Sequence, residues 1–192
     1  MKKPEELADA LGAKFMAFAT DIDAAFSKIA LPPTPKVLDV GTGKGYSAIC
    51  LALRGCDVVT GEPATDTSIY AGHDWKANVD LAGVSDRVAF KAFEAQNLPF
   101  PDASFDAVVF FGVLHHIEKS VRADVFREAL RVVKHGGSVI FFEPSKHTLE
   151  AMWETDKTHP PAENPRDYMG DVAADERILK GEMMDIYIYR RP

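Results

Sequence analysis

The chain has 192 residues, a length typical of one domain, and a formal net charge of −7. Hydrophobic residues make up 46% and charged residues 27%, which indicates a globular protein and excludes a disordered one. A nucleic-acid partner is not expected, because proteins that bind nucleic acids carry a basic face. No apolar run approaches the ~18 residues of a membrane span. Two cysteines are too few for a disulfide framework, so we expect a cytoplasmic protein without a membrane partner.

Helical and strand patterns alternate along most of the chain. Apolar residues at steps of three and four predict an amphipathic helix over about residues 5–30, broken near Gly12. A proline cluster at 31–35 ends it. Predicted strands then cover 36–40, 58–60, 87–90, 105–111 and 138–142, and predicted helices cover 46–54, 66–82 and 120–134. This alternation predicts an α/β fold with a doubly wound parallel sheet and helices on both faces.

The pattern changes after residue 145. Residues 146–173 are polar and contain prolines, so we expect an irregular stretch, which in a compact domain is usually functional or disordered. A surface helix followed by a mobile loop is the alternative for this stretch. Two short strands are predicted within 177–190, on either side of Lys180 and Gly181.

The most informative segment is the glycine-rich loop after the first predicted strand. A phosphate-binding P-loop is excluded, because Leu38 stands where its first glycine is needed and Gly45 follows Lys44. A dinucleotide fingerprint is disfavoured, because Tyr46 replaces its third glycine. The spacing is instead Asp-x-Gly-x-Gly-x-Gly, with Asp39 inside the end of the strand.

This spacing resembles motif I of class I S-adenosylmethionine-dependent methyltransferases. Residues 55–62, 88–106, 108–117 and 129–137 resemble, in the right order, later segments of the same family's type 11 group. The resemblance covers about residues 36–145. It implies a three-layer Rossmann-like doubly wound sheet, mostly parallel, with strand order 3-2-1-4-5-7-6 and one antiparallel strand near the C-terminus. Residues 1–192 would then form a single domain, divided into a helical cap (1–35), a cofactor-binding core (36–145) and a lid-like segment with closing strands (146–192).

The resemblance implies S-adenosyl-L-methionine as cofactor and S-adenosyl-L-homocysteine as product. The glycines would let the loop pass beneath the cofactor, while Asp39 would contact the ligand or order the loop. Glu62 would accept hydrogen bonds from both ribose hydroxyls. Glu94 would accept one from the adenine amino group, beside the Ala95 amide; the family more often has Asp at these two positions. The implied cofactor-binding residues are Asp39, Gly41, Thr42, Gly43, Gly45, Glu62, Glu94, Ala95 and Phe111.

The catalytic residues stay undetermined. Methyl transfer from a sulfonium needs a general base only if the acceptor must lose a proton. The candidates are His115, His116 and Glu143, for which structural or cofactor-shaping roles are the alternative. No metal site is expected, because the histidines are dispersed along the sequence and lack metal-binding spacing.

The acceptor is expected to be a small molecule, bound beneath a lid formed by residues 146–173 and the N-terminal helix. Two alternatives stay open: an RNA- or protein-directed methyltransferase of the same fold, and a non-catalytic S-adenosylmethionine-binding protein. A nicotinamide oxidoreductase is more distant, and homodimerisation stays open.

Overall fold

The computed structural model describes residues 2–67, 71, 73–170 and 175–192. They form a seven-stranded sheet in the order β3-β2-β1-β4-β5-β7-β6. The strands are β1 (Lys36–Val40), β2 (Asp57–Gly61), β3 (Val88–Phe90), β4 (Phe105–Phe111), β5 (Val133–Pro144), β6 (Asp175–Lys180) and β7 (Met184–Arg190). The first five strands pair in parallel, and β7 runs antiparallel to both of its neighbours. The predicted fold class and strand order are confirmed.

Helices cover both faces of the sheet, which gives three layers. They are α1 (Pro4–Leu11), α2 (Ala13–Phe26), α3 (Tyr46–Leu53), α4 (Trp75–Ala82), α5 (Arg122–Val132) and α6 (Lys146–Thr155). One apolar core lies between one face of the sheet and the helices α1, α2, α3 and α4. A second core lies between the other face and α5. Among the described residues, no helix combines the length and apolarity needed to cross a membrane.

The N-terminal helical region divides where the sequence predicts a break. Gly12 separates α1 from α2 with a φ of +93°, a conformation that glycine adopts without steric cost. The second helix ends at Phe26, somewhat earlier than predicted.

Two predicted helix boundaries are wrong. The helix predicted over 66–82 begins only at Trp75, because the Asp74 carboxylate accepts a hydrogen bond from the Ala77 amide at 3.0 Å and caps it there. Residues 68–70 and 72 lie outside the described part of the chain. The helix predicted over 120–134 divides into a 3₁₀ turn (Lys119–Val121) and α5.

The stretch after residue 145 begins with a helix and is not irregular throughout. Ser145 accepts a hydrogen bond from the Thr148 amide and caps α6, which occupies the first part of the supposedly irregular segment. A 3₁₀ turn (Pro165–Tyr168) follows, and residues 171–174 lie outside the described residues. The scattered apolar residues of this segment therefore belong partly to a helix.

A buried carboxylate joins α2 to the last two strands. Asp21 is fully buried and accepts hydrogen bonds from the backbone amides of Glu182 and Met183, in the turn between β6 and β7, and of Met184, the first residue of β7. Burial raises the pKa of Asp21, while these backbone hydrogen bonds oppose the rise. Glycine is needed at 181, since a Cβ there would lie 2.3 Å from Asp21 Oδ1.

Candidate functional site

The glycine loop lies at the edge of the sheet where the parallel strands end. It connects β1 to α3, and its Gly41 amide donates to the carbonyl of Gly61 at the end of β2, at 2.8 Å. The Gly43 amide donates to Oε2 of Glu62 at 2.9 Å. In open α/β sheets, ligands bind at this edge. The structure thus brings together the loop and the first of the two acids that the sequence singles out.

Glycine is sterically required at the start of this loop. Gly41 has a φ of +91°, and a Cβ there would lie only 2.5 Å from Cγ2 of Val113, in the segment that follows β4. Gly45 has a left-handed conformation at the start of α3. The loop backbone therefore approaches its neighbours more closely than a side chain would permit.

Asp39 lies beneath the loop in a buried polar network. Its Oδ2 accepts a hydrogen bond from the Thr60 hydroxyl at 2.8 Å, and that hydroxyl lies 3.0 Å from the hydroxyl of Thr42. Burial raises the pKa of Asp39 to about 6, although the hydrogen bond from Thr60 acts in the opposite direction. Asp39 therefore links the ends of β1 and β2 to the loop, which favours the loop-ordering role over direct ligand contact.

The second acidic position lies beside the first. The Phe93 amide donates to the Glu62 carbonyl at 3.3 Å, so the segment after β3 runs along the end of β2. Glu94 is exposed on this segment, and its backbone forms an isolated antiparallel bridge with Asn97. The adjacent Ala95 is buried. A carboxylate next to an apolar surface is the arrangement that the sequence predicts for an adenine ring.

Phe111 closes the apolar side of this region. It is the last residue of β4, and its ring stacks on Phe18 of α2 with a centroid distance of 4.0 Å. On its other side the ring stacks on Phe142 of β5 at 4.6 Å. The N-terminal helical region therefore packs directly against the end of the sheet where the glycine loop lies.

The catalytic candidates meet at the ends of β4 and β5. His115 lies on a 3₁₀ turn (Leu114–His116) after β4, and its Nδ1 is 2.9 Å from Oε2 of Glu143 in β5. Both side chains are about 1% exposed. The same carboxylate oxygen accepts a hydrogen bond from the Glu163 amide at 2.9 Å. Since an ionised carboxylate only accepts hydrogen bonds, this contact fits a His115 tautomer whose proton is on Nδ1.

Arg122 connects this pair to the segment after α6, a connection that the sequence does not reveal. Its buried guanidinium forms an ion pair with Glu163 at 2.6 Å and donates to the Tyr168 hydroxyl at 2.8 Å. It also donates to the backbone carbonyls of His115 and Ile117, at 3.3 and 2.8 Å. The Tyr168 hydroxyl in turn donates to Glu163 at 2.6 Å. One side chain thus holds the loop after β4 against the region between α6 and β6.

Three histidines that are dispersed along the sequence lie close together at this edge. The ring of His159 lies 5.2 Å from that of His115 and 5.1 Å from that of His116. Desolvation, together with His115 and His159, lowers the pKa of His116 to about 4, although its side chain stays partly open to solvent. His159 is far from the other two in sequence, and no local spacing signals the contact.

A family model described as a methyltransferase domain matches residues 38–141, which is more than half of the chain. Among curated proteins, the 27-O-demethylrifamycin SV methyltransferase of Amycolatopsis mediterranei (strain S699) is 38% identical over 122 residues. That match covers 60% of this chain and 42% of that protein.

A second curated relative is the ubiquinone/menaquinone biosynthesis C-methyltransferase UbiE of Geotalea daltonii (strain DSM 22248 / JCM 15807 / FRC-32). It is 30% identical over 122 residues, covering 62% of this chain and 49% of that protein. The chain thus spans less than half the length of either of these two curated relatives.

Solved structures share the whole architecture. The PH0226 protein from Pyrococcus horikoshii OT3 superposes with a TM-score of 0.67 at 20% sequence identity. The superposition covers 90% of this chain and 88% of that one. At this sequence identity it shows that the two chains share a fold. The family model, which matches more than half of the chain, shows together with the observed strand order that the chain belongs to the class I S-adenosylmethionine-dependent methyltransferases.

Proposed function

We propose that this protein transfers a methyl group from S-adenosyl-L-methionine to a small-molecule acceptor. The observation that carries the proposal is the hydrogen bond of 2.9 Å from the Gly43 amide to the Glu62 carboxylate. It fixes an acidic group beside a loop that lacks side chains at alternate positions. A ribose with two adjacent hydroxyls needs such a carboxylate, and the amino-acid part of the cofactor needs an uncovered loop backbone beside it.

The residues present fit the cofactor. The close approach of Gly41 to Val113 leaves the loop backbone uncovered by a Cβ, and Glu62 has enough lone pairs to accept two ribose hydroxyls as well. Glu94 and Ala95 would contact adenine, and Phe111 would cover the apolar side. Asp39, Thr42, Gly43 and Gly45 would hold the loop in shape. The acidic surroundings also suit a sulfonium, which carries positive charge.

The bound cofactor supplies the activated methyl group, so the protein mainly has to position the acceptor and exclude water. The polar groups available on the acceptor side are His115, His116 and Glu143, at the ends of β4 and β5. His115 and Glu143 hold each other in a fixed orientation because both are buried and hydrogen-bonded. We place the acceptor next to this pair.

The segment from Lys146 to Gly170 supports a small acceptor. It contributes Glu163, whose amide donates to Glu143, and Tyr168, which contacts Arg122. We propose that this segment, with α2, forms part of a lid over the acceptor, as the sequence suggests. Such a cover would suit a compact molecule better than a polynucleotide, and the chain's net charge of −7 points the same way. Deleting residues 150–170 should abolish turnover, and unchanged turnover would exclude the lid.

Cofactor binding can be tested by calorimetry with S-adenosyl-L-methionine, S-adenosyl-L-homocysteine and NAD. Wild-type protein should bind the first two, and Gly43→Val and Glu62→Ala should weaken binding strongly. Glu150→Gln, which removes an exposed acid on α6, is the matched control and should bind normally. Binding of NAD, with no response to S-adenosyl-L-methionine, would overturn the proposal.

The acceptor class is tested separately, by following transfer of a labelled methyl group. A panel of hydroxylated and quinone-like small molecules should contain a substrate, because the curated relatives are named for such acceptors. Label entering bulk RNA or protein would contradict the small-molecule assignment. Tight cofactor binding without transfer to any acceptor would instead favour a non-catalytic binding protein.

A further inference from the structure

Three imidazole rings converge at the ends of β4 and β5. His115 and His116 lie on the 3₁₀ turn after β4, and His159 reaches them from the segment after α6. One nitrogen from each ring can be chosen so that all three lie within 4.8 Å of one another. From this convergence we propose that His115, His116 and His159 bind a divalent transition-metal ion.

Two of the rings are already oriented as metal ligands usually are. His115 Nδ1 lies 2.9 Å from the Glu143 carboxylate, and His159 Nδ1 lies 2.9 Å from the Pro160 carbonyl. A carboxylate and a carbonyl accept hydrogen bonds, so the tautomer that fits each contact has its proton on Nδ1 and leaves Nε2 for a metal ion. In metal sites, ligating histidines typically donate their second N–H to a carboxylate or a backbone carbonyl in this way, which fixes both tautomer and orientation.

The supporting groups are themselves held in place. Glu143 is buried and accepts a second hydrogen bond from the Glu163 amide. The His159 carbonyl accepts a hydrogen bond of 2.8 Å from the indole N–H of Trp153, so α6 fixes the position of the buried His159. A preorganised pair of buried ligands with ordered partners is a better metal site than three imidazoles on a mobile surface.

The donor set indicates the class of ion. Imidazole nitrogens suit Zn²⁺, Co²⁺, Ni²⁺ and Cu²⁺, whereas Mg²⁺ and Ca²⁺ prefer oxygen ligands. Ligand nitrogens around tetrahedral zinc lie about 3.4 Å apart, so binding draws the rings somewhat closer. His116 is the exposed member of the three. Three protein ligands leave a coordination position for water or another oxygen ligand, as in zinc sites that act as Lewis acids.

The test uses full-length protein without an affinity tag, freed of metal by a chelator and then titrated with Co²⁺ and with Zn²⁺. Co²⁺ should give the visible absorption of a nitrogen-coordinated ion, saturating at one ion per chain, and Zn²⁺ should displace it. His159→Ala and His116→Ala should each weaken Zn²⁺ binding at least tenfold. His135→Ala is the matched control, because it removes an exposed histidine whose Nδ1 is hydrogen-bonded to the Pro192 carbonyl. It should leave Zn²⁺ binding unchanged.

A supporting residue gives a second, independent readout. Glu143→Gln keeps the shape of the side chain but weakens the acceptor on His115, and should lower Zn²⁺ affinity by about 10–100-fold. His116 is exposed, so its substitution tests the site without disturbing the core. Binding that is absent, or equal in wild type, His116→Ala and His135→Ala, would overturn the proposal. Because S-adenosyl-L-homocysteine binding is measured on the same samples, failure of the metal site and failure of the proposed function are distinguishable.

Discussion

Gly43 and Glu62 are joined by a hydrogen bond from the backbone amide of one to the carboxylate of the other, at 2.9 Å. The glycine loop and the acid after β2 therefore form one unit rather than two neighbouring features. Hydrogen bonds to charged groups typically contribute about 1.5–3 kcal/mol. Glu62→Gln should accordingly weaken S-adenosyl-L-homocysteine binding by roughly 10–100-fold in calorimetry. Glu150→Gln is the control, and an unchanged affinity in Glu62→Gln would show that the carboxylate does not contact the ligand.

The close contact at Gly41 predicts a loss of stability on adding a methyl group. Gly41→Ala should lower the free energy of unfolding by at least about 2 kcal/mol, since it combines backbone strain with overlap against Val113. Gly12→Ala has nearly the same φ, +93°, but no atom within 4 Å of its new Cβ, and should cost only about 1 kcal/mol. The difference, measured by urea unfolding, should shrink when Val113→Ala is combined with Gly41→Ala. If Val113→Ala leaves the difference between Gly41→Ala and Gly12→Ala unchanged, the loss of stability in Gly41→Ala comes from backbone strain and not from overlap with Val113.

The buried carboxyl of Asp39 predicts a pH-dependent stability. Its pKa rises from the ordinary value of 3.8 to about 6, so the folded state holds a proton that the unfolded state releases. The resulting stabilisation is fully present below pH ~4 and is lost as the pH rises through ~6, an effect of about 3 kcal/mol. Asp39→Asn stays neutral and should lack this decline. Wild type should therefore lose stability relative to the variant between these pH values in urea unfolding, whereas a constant difference would contradict the prediction. Asp86→Asn is the surface control.

Removing the guanidinium of Arg122 should destabilise the fold considerably. Arg122→Met removes the cation that pairs with Glu163 and the donor to the His115 carbonyl, so the free energy of unfolding should fall by about 2–3 kcal/mol. Arg127→Met, on the same helix, breaks only an exposed ion pair with Asp124 and should cost less than about 0.5 kcal/mol. Equal effects of the two substitutions in urea unfolding would mean that Arg122 acts as an ordinary surface residue.

The sequence predicts the sheet well, because its strands depend on local patterns. Apolar strands, the glycine spacing and the acid after β2 are each visible within a few residues, and the family resemblance gives the strand order. Helix boundaries are less predictable. The sequence pattern predicts a helix from residue 66, but the Asp74 cap starts α4 at Trp75.

The contacts at the ends of β4 and β5 are where sequence interpretation fails. His159 reaches His115 only because α6 turns the chain back and Trp153 holds the His159 carbonyl. That contact depends on tertiary packing between distant segments, for which periodicity and spacing carry no signal. The same holds for Arg122, which resembles an ordinary surface arginine of an amphipathic helix until its partners Glu163 and Tyr168 are known.

Asp21 gives the fold a property that neither helix nor hairpin would have alone. Its carboxylate collects three backbone amides from the turn between β6 and β7 and the first residue of β7, so that turn cannot open without breaking contacts to α2. Regions coupled in this way open as one cooperative unit. The amide hydrogen exchange rates of α2 and of the β6–β7 turn should therefore change in the same direction when a substitution alters the stability of this unit. Asp21→Asn, which weakens the shared acceptor, should accelerate exchange at both places although they are far apart in the sequence.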